Sequence, residues 1–293
     1  MPARPSPGPP ERIILGRVEG KMPHDLLAVH GNSSGLVVAV GANGRILMFG
    51  GSRYEPFPVA SPTRATLRGV WVESPSSAWA VGDGGVVLRW DGHKWRHVAL
   101  AGPSDSLTCI WGHPTDGIWI GGQQRLIHHD PISGSSVLVQ SDVEVCSIWG
   151  TGPSDTWFLA PRAVMRWTGD SCTGDELPGD DDETWSVVAG SAPGEPVYVV
   201  GIMGLVMEWT GERWYEFTID TDALLTGACC AGRDLYVVTD TGLMRAWDGQ
   251  RWRTVAFSAF GGLNACCCVG GVLWACGDKG VVLQHQPDAF GGE

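Results

Sequence analysis

The sequence predicts an all-β fold of seven four-stranded blades closed into a ring, and three observations predict it. The chain of 293 residues carries 42 glycines and 15 tryptophans, a pairing that reads as many turns and large side chains repeated in a packed β interior. One fourteen-residue phrase recurs, as GDGGVVLRWDGHKW at 82–95, GIMGLVMEWTGERW at 201–214 and TDTGLMRAWDGQRW at 239–252. Around it a longer unit repeats: apolar runs begin at Leu26, Leu67, Leu107, Val145, Thr184, Leu225 and Leu263, at spacings of 38 to 41 residues.

The elements of the unit follow in order. The first is a run such as LRGVW, LTCIW or VCSIW, which does not alternate apolar with polar, as expected of a strand covered on both faces. Its third residue is small in every unit (Ala28, Gly69, Cys109, Ser147, Ser186, Gly227, Ala265), which suits close approach of neighbouring sheets near an axis. A turn rich in Gly, Pro, Ser and Asp leads to a second strand, WAVG at 79, WIGG at 119, YVVG at 198 and WACG at 274. After a glycine-containing turn a third strand ends on Trp90, Trp167, Trp209 or Trp247. A DG or TG hairpin turn then feeds a fourth strand opening on Trp95, Trp214 or Trp252. Four antiparallel strands per forty residues make a β-propeller blade, and no stretch has helical periodicity long enough for a helix.

The seventh unit ends without a fourth strand, and RIILGR at 12–17 has no other place. That segment is expected to complete the last blade, joining the ring ends and removing two exposed edges. The seven-bladed β-propeller then spans 12–286, with a flexible Pro-rich tail at 1–11 and a second flexible tail at 287–293.

With WAVG at 79–82, WDGHKW at 90–95 and WDGQRW at 247–252, the unit resembles the Trp-rich repeats of bacterial seven-bladed propellers of unassigned activity. It is less similar to Asp-box and tectonin-type propellers. The turn from Trp90 to Trp95 is shorter than an Asp-box and lacks its serine and threonine, so the likeness does not imply sialidase chemistry. Kelch and WD40 signatures are absent.

Such a fold hosts enzymes, lectins and scaffolds alike, so function must come from a site. The net charge of −12, with no Lys/Arg cluster, argues against nucleic acid and anionic membranes as partners. Nine cysteines, an odd number including CCC at 266–268, argue against a disulfide framework and for the cytoplasm. The sequon at Asn32 carries no weight without a secretory signal. No serine-hydrolase, zinc-protease, P-loop or dinucleotide motif occurs, and no cofactor is expected. The chain therefore reads as a non-catalytic protein-interaction propeller, a scaffold or recognition subunit docking on a protein partner in a larger bacterial assembly. The alternatives are a lectin-like glycan binder using exposed Trp95, Trp214 and Trp252, and a hydrolase or lyase with carboxylate, His and Arg converging at the axis.

The candidate binding residues lie where the units disagree. Turns between second and third strands carry Asn43, Asp83, Gln123 with Gln124, Arg162, Met203, Asp240 and Lys279, expected around the channel mouth on one face. Turn tips are also free to drift, which is the competing account. His30, Cys229 and Cys267 share the fifth position of the inner strand in blades one, six and seven, where a thiophilic metal is conceivable. Cysteine is equally a small hydrophobe suited to a crowded strand, and no C-x2-C pair occurs, so no metal site is assigned. The acidic segment at 175–183 reads as a solvated insertion where blade four's outer strand should be, rather than a calcium loop. His128 and His129 stand where blades two and four have Arg-Trp pairs.

Overall fold

The computed structural model describes residues 13–17, 24–50, 56–57, 59–100, 104–141, 143–178, 185–258 and 261–286. Seven antiparallel sheets surround an axis, six of four strands and one of three. Their inner strands are Leu26–Gly31, Leu67–Ser74, Leu107–His113, Ser147–Gly152, Trp185–Gly190, Leu225–Ala231 and Leu263–Val269. The ring closes as the sequence predicts: Ile13–Arg17 is the outer strand of blade seven, paired antiparallel with Val281–His285 from Ile13↔His285 to Arg17↔Val281. Blade one has three described strands, with a bridge from Met48 to Phe57 beyond the third. The expected tails at 1–11 and 287–293 lie outside the described residues. Among the described residues no helix is long and apolar enough to cross a membrane.

The crowding near the axis is real. A Cβ added at Gly227 would sit 2.8 Å from the Cα of Ala265 in blade seven, and one at Gly69 would sit 3.2 Å from the Cα of Cys109 in blade three. Blade five departs from the predicted pattern. Its first core position is held by the buried Trp185, paired with Gly201 as Leu26 is with Gly41, so the unit starts one residue later than Thr184. Ser186 is then the second residue, and the third is Val187, not a small one. Trp185 anchors the strand because its side chain buries more apolar surface than Thr184 can.

A second packing rule joins successive blades. The fifth inner-strand residue leans on the sixth residue of the following blade. Trp71 lies against Gly112, Trp111 against Gly150 and Trp149 against Gly190, where an added Cβ would meet ring atoms at 2.7, 3.0 and 2.4 Å. In blade one the fifth residue is the smaller His30, and blade two answers with Val72 rather than glycine. Here the Val72 N–H donates to His30 Nδ1 at 3.0 Å.

Farther out, tryptophans fill the widening gaps. Trp90 and Trp95, Trp209 and Trp214, and Trp247 and Trp252 pair across their hairpins with ring centroids 5.8, 5.4 and 5.4 Å apart. Each pair packs on the preceding blade. Trp214 meets Trp157 of blade four edge-on at 6.0 Å, and Trp247 meets Phe217 of blade five at 5.0 Å. Aromatic contacts of this kind contribute about 0.5–1.5 kcal/mol each beyond area burial.

Candidate functional site

The inner strands enclose a channel of about 460 Å³. One end is latched by side chains at the second inner-strand position. The Thr108 and Thr226 hydroxyls donate to the carbonyls of Val145 and Leu263, and Asn264 Nδ2 donates to the Leu26 carbonyl at 2.9 Å. Each bond reaches the first residue of the next blade, so three of the seven seams are tied at this mouth. Arg68, at the same position in blade two, instead turns outward to Asp83 and holds that carboxyl below its ordinary range through their hydrogen bond.

The channel offers little chemistry. Besides thiols, its ionisable lining residues are His30 and Arg68, and no described carboxylate lines it. Burial lowers the His30 pKa to about 4 and raises the thiols of Cys109 and Cys146 to about 12 and 11. The thiols therefore stay protonated and unreactive at neutral pH. All nine cysteines are free. His30, Cys229 and Cys267 each face the following blade. His30 accepts from Val72, Cys229 lies against Cys266, and Cys267 against the Gly31 backbone. Among the described residues no group of three or more His, Cys, Asp or Glu is arranged to hold a metal.

Three of the variable turns contact loops that lead into inner strands. In blades one and six they lie beside the loop that enters the same blade's inner strand, and in blade seven beside the loop that enters blade one's. Asn43 Nδ2 lies 3.1 Å from His24, Leu224 N–H donates to Asp240, and Lys279 N–H donates to Asp25 across the closing seam. Asn43, Gln123, Gln124, Arg162, Met203, Asp240 and Lys279 are exposed, and Asp83 is half-buried. The turns are not all equivalent, however. In blades one, five and seven the tip residue takes the left-handed conformation, with φ of 56° at Asn43, 52° at Met203 and 55° at Lys279. In blade two that position is Gly84, with φ 68°, so Asp83 precedes the tip. Asp83, Asp240 and Asp278 form a separate set. Asp240 and Asp278 accept backbone N–H groups of Leu224 and Gly262 just before the inner strands. Asp240 thus has a structural task that its exposed position in the sequence did not announce.

The tryptophans proposed for glycan pockets are packed between blades. Trp95 is 4% exposed, Trp214 is half-buried and donates to Asp175 at 3.2 Å, and Trp252 is half-buried against Trp247 and Phe217. The outer strand of blade four is Cys172–Glu176, ahead of the place predicted for it. Asp175 and Glu176 are exposed on that strand, while 179–183 lie outside the described residues. His129 fills a tryptophan's place as expected, meeting Trp79 of blade two edge-on at 5.4 Å.

Comparison with known proteins bears on the fold. No family model and no curated protein sequence matches the chain. Among solved structures, the WD40 β-propeller domain of Doa1 is similar with a TM-score of 0.76 at 11% identity, covering 94% of this chain and 96% of that one. YCF48 bound to D1 peptide is similar with a TM-score of 0.72 at 12% identity, over 94% and 95% of the two chains. An extracellular domain from B. thetaiotaomicron gives a TM-score of 0.74 at 12% identity, with 92% of this chain covering 39% of that chain. At these identities the likeness is one of fold.

Proposed function

We propose that the chain is a non-catalytic protein-interaction propeller that docks a protein partner on the face bearing Asn43, Met203 and Lys279. The observation that carries this is the backbone at those tips. A left-handed conformation disfavours non-glycine residues by roughly 1–2 kcal/mol, and Met and Lys lack the short amide that eases it for Asn. Blade two shows that glycine serves the same turn. Met203 nevertheless stands there with 59% of its surface exposed, an apolar side chain turned largely to solvent. Strain kept for the sake of an outward side chain points to recognition. Two further facts support the reading: the described lining of the channel holds no acid–base pair, and a structural neighbour, YCF48, is known bound to a peptide. The unpaired thiols favour a reducing compartment.

The test is affinity capture from native lysate with the tagged full-length chain, read by mass spectrometry, against the double variant Met203→Gly/Lys279→Asp. A stoichiometric protein lost on this substitution supports the reading, and thermal melting checks that the variant is folded. Capture of nothing, or of a protein that the variant retains, overturns it.

A further inference from the structure

The outer strand of blade three, Ser136–Ser141, differs from the others. Its sequence SVLVQS has no charge and no proline, and among the described residues it is the terminal strand of its sheet, bonded on one side only to Arg125–His129. Val137, Leu138 and Val139 are 60%, 56% and 44% exposed. Natural sheets usually protect such an edge with lysines, proline or a cover, because its free N–H and C=O groups invite another strand.

Beside this edge lies a groove of about 310 Å³ between blades three and four, floored by Trp119, His128 and Trp167 and flanked by Val137, Val139 and Pro153. Its origin is visible by comparison with the next seam. Between blades four and five, Trp157 and Trp209 lie 6.2 Å apart and Trp214 closes the space above them. Between blades three and four, Trp119 and Trp167 stand 6.0 Å apart in the same relation. The residue paired with Trp167, however, is the exposed Cys172, where blade five has Trp214. One indole is missing. The Nε2 of His128 is buried at this floor without a hydrogen bond, 3.6 Å from Asp116 Oδ2.

Charge selects the occupant. From residue 126 to residue 161 the chain has no Lys or Arg, while Asp130, Asp142 and Glu144 fall in that span, and Asp155 there is already paired with Arg166. Asp170, Asp175 and Glu176 are exposed on the adjoining edge of blade four. A second copy would set acidic edge against acidic edge, whereas a basic segment would be attracted. We infer that this edge and groove bind an extended segment of a partner protein that bears an aromatic side chain flanked by Lys or Arg. The segment adds a fifth strand to blade three, and its aromatic ring takes the place left by the missing indole. This surface lies on the outer circumference of the ring, and the inference does not rest on the rim reading.

The probe is a fluorescein-labelled peptide with the sequence of residues 250–257, Gln-Arg-Trp-Arg-Thr-Val-Ala-Phe. It is the chain's own basic, Trp-bearing outer strand from blade six. Polarisation titration against the full chain should give saturable binding, with a dissociation constant of about 10–100 µM for so small an interface. Val139→Lys, which charges the edge, and Cys172→Trp, which fills the groove from within, should each weaken it at least about tenfold, since either removes most of a small interface. A variant at Lys279 on the rim should leave it unchanged, and thermal melts confirm folding. No saturable binding below about 1 mM, roughly tenfold weaker than the upper end of the expected range, overturns the inference, as does binding retained by either edge or groove variant. Sedimentation showing a dimer that Val139→Lys dissolves would also overturn it, assigning the edge to a second copy.

Discussion

The contact of Trp149 with Gly190 offers a quantitative test of how the blades hold together. Gly190 has an extended backbone open to any residue, so alanine there is opposed by space alone. Its Cβ would meet three atoms of the Trp149 ring at 2.4, 2.6 and 2.8 Å, against ordinary contact from 3.4 Å. The ring must retreat by about 1 Å or the two sheets must part. Overpacking on this scale costs about 1–3 kcal/mol, and a rigid indole between two sheets places Gly190→Ala near the top of that range. A loss of about 3 kcal/mol corresponds to a fall in Tm of roughly 5 °C for a chain of 293 residues. Trp149→Leu alone should cost about 2–3 kcal/mol through the cavity it leaves. In the double variant the cavity admits the new methyl, so the combined loss should fall short of the sum by about 2 kcal/mol. Urea unfolding followed by circular dichroism measures all four corners. Gly112→Ala, which presses on Trp71, is the control that Trp149→Leu should not rescue. Losses that add to within about 0.5 kcal/mol would refute the size-matching rule.

Two further outcomes follow from buried titratable groups. The His30 pKa is lowered by burial from 6.5 to about 4, so between those values the unfolded chain binds a proton that the folded chain refuses. Stability should therefore fall as pH drops through that window and level off below it. The loss is on the order of 2 kcal/mol, the full shift being moderated because the ring borders the channel. His30→Gln keeps an acceptor for the Val72 N–H and should flatten most of the slope, with burial of His129 supplying a smaller part in the same direction. An unchanged slope between pH 7 and 4.5 would remove His30 from the account. Thiol titration with Ellman's reagent should find one fast group, the exposed Cys172, in the folded protein and all nine after denaturation. Several thiols reacting together in the native state would mean that the channel admits the reagent.

The repeat made most of the fold legible, and the reasons are local. A period near forty, hairpin turns such as Asp91-Gly92 and a run like LTCIW each declare themselves within a few residues. Even the pairing of Ile13–Arg17 with Val281–His285 could be inferred, because one blade lacked a strand and one strand lacked a blade. What escaped was relational. That Trp149 demands a glycine at 190 spans a seam between repeats, and neither residue is odd in its own unit. Blade five starts one residue later than its apolar run suggests because the start is set by the pairing of Trp185 with Gly201, and strand register is not written in the run itself. At the rim, the varied side chains were visible, but not the left-handed backbone beneath Met203 and Lys279. The capping duty of Asp240 was hidden too, since exposure and structural work coexist there. The edge and groove of blade three went unread because the signal is an absence, Cys172 in the place of a tryptophan.

The seam of the ring also sets a schedule for its making. Strand Ile13–Arg17 leaves the ribosome well before its partner Val281–His285, which lies beyond the other six blades in the chain. At about 5–20 residues per second the first waits roughly 15–55 s for the second. Throughout that interval six blades can stack, but the clasp stays open and an apolar strand remains without its mate. Arg12 and Arg17 bracket the Ile-Ile-Leu-Gly of that strand, the placement by which charged gatekeepers keep a nascent hydrophobic segment from finding the wrong neighbour.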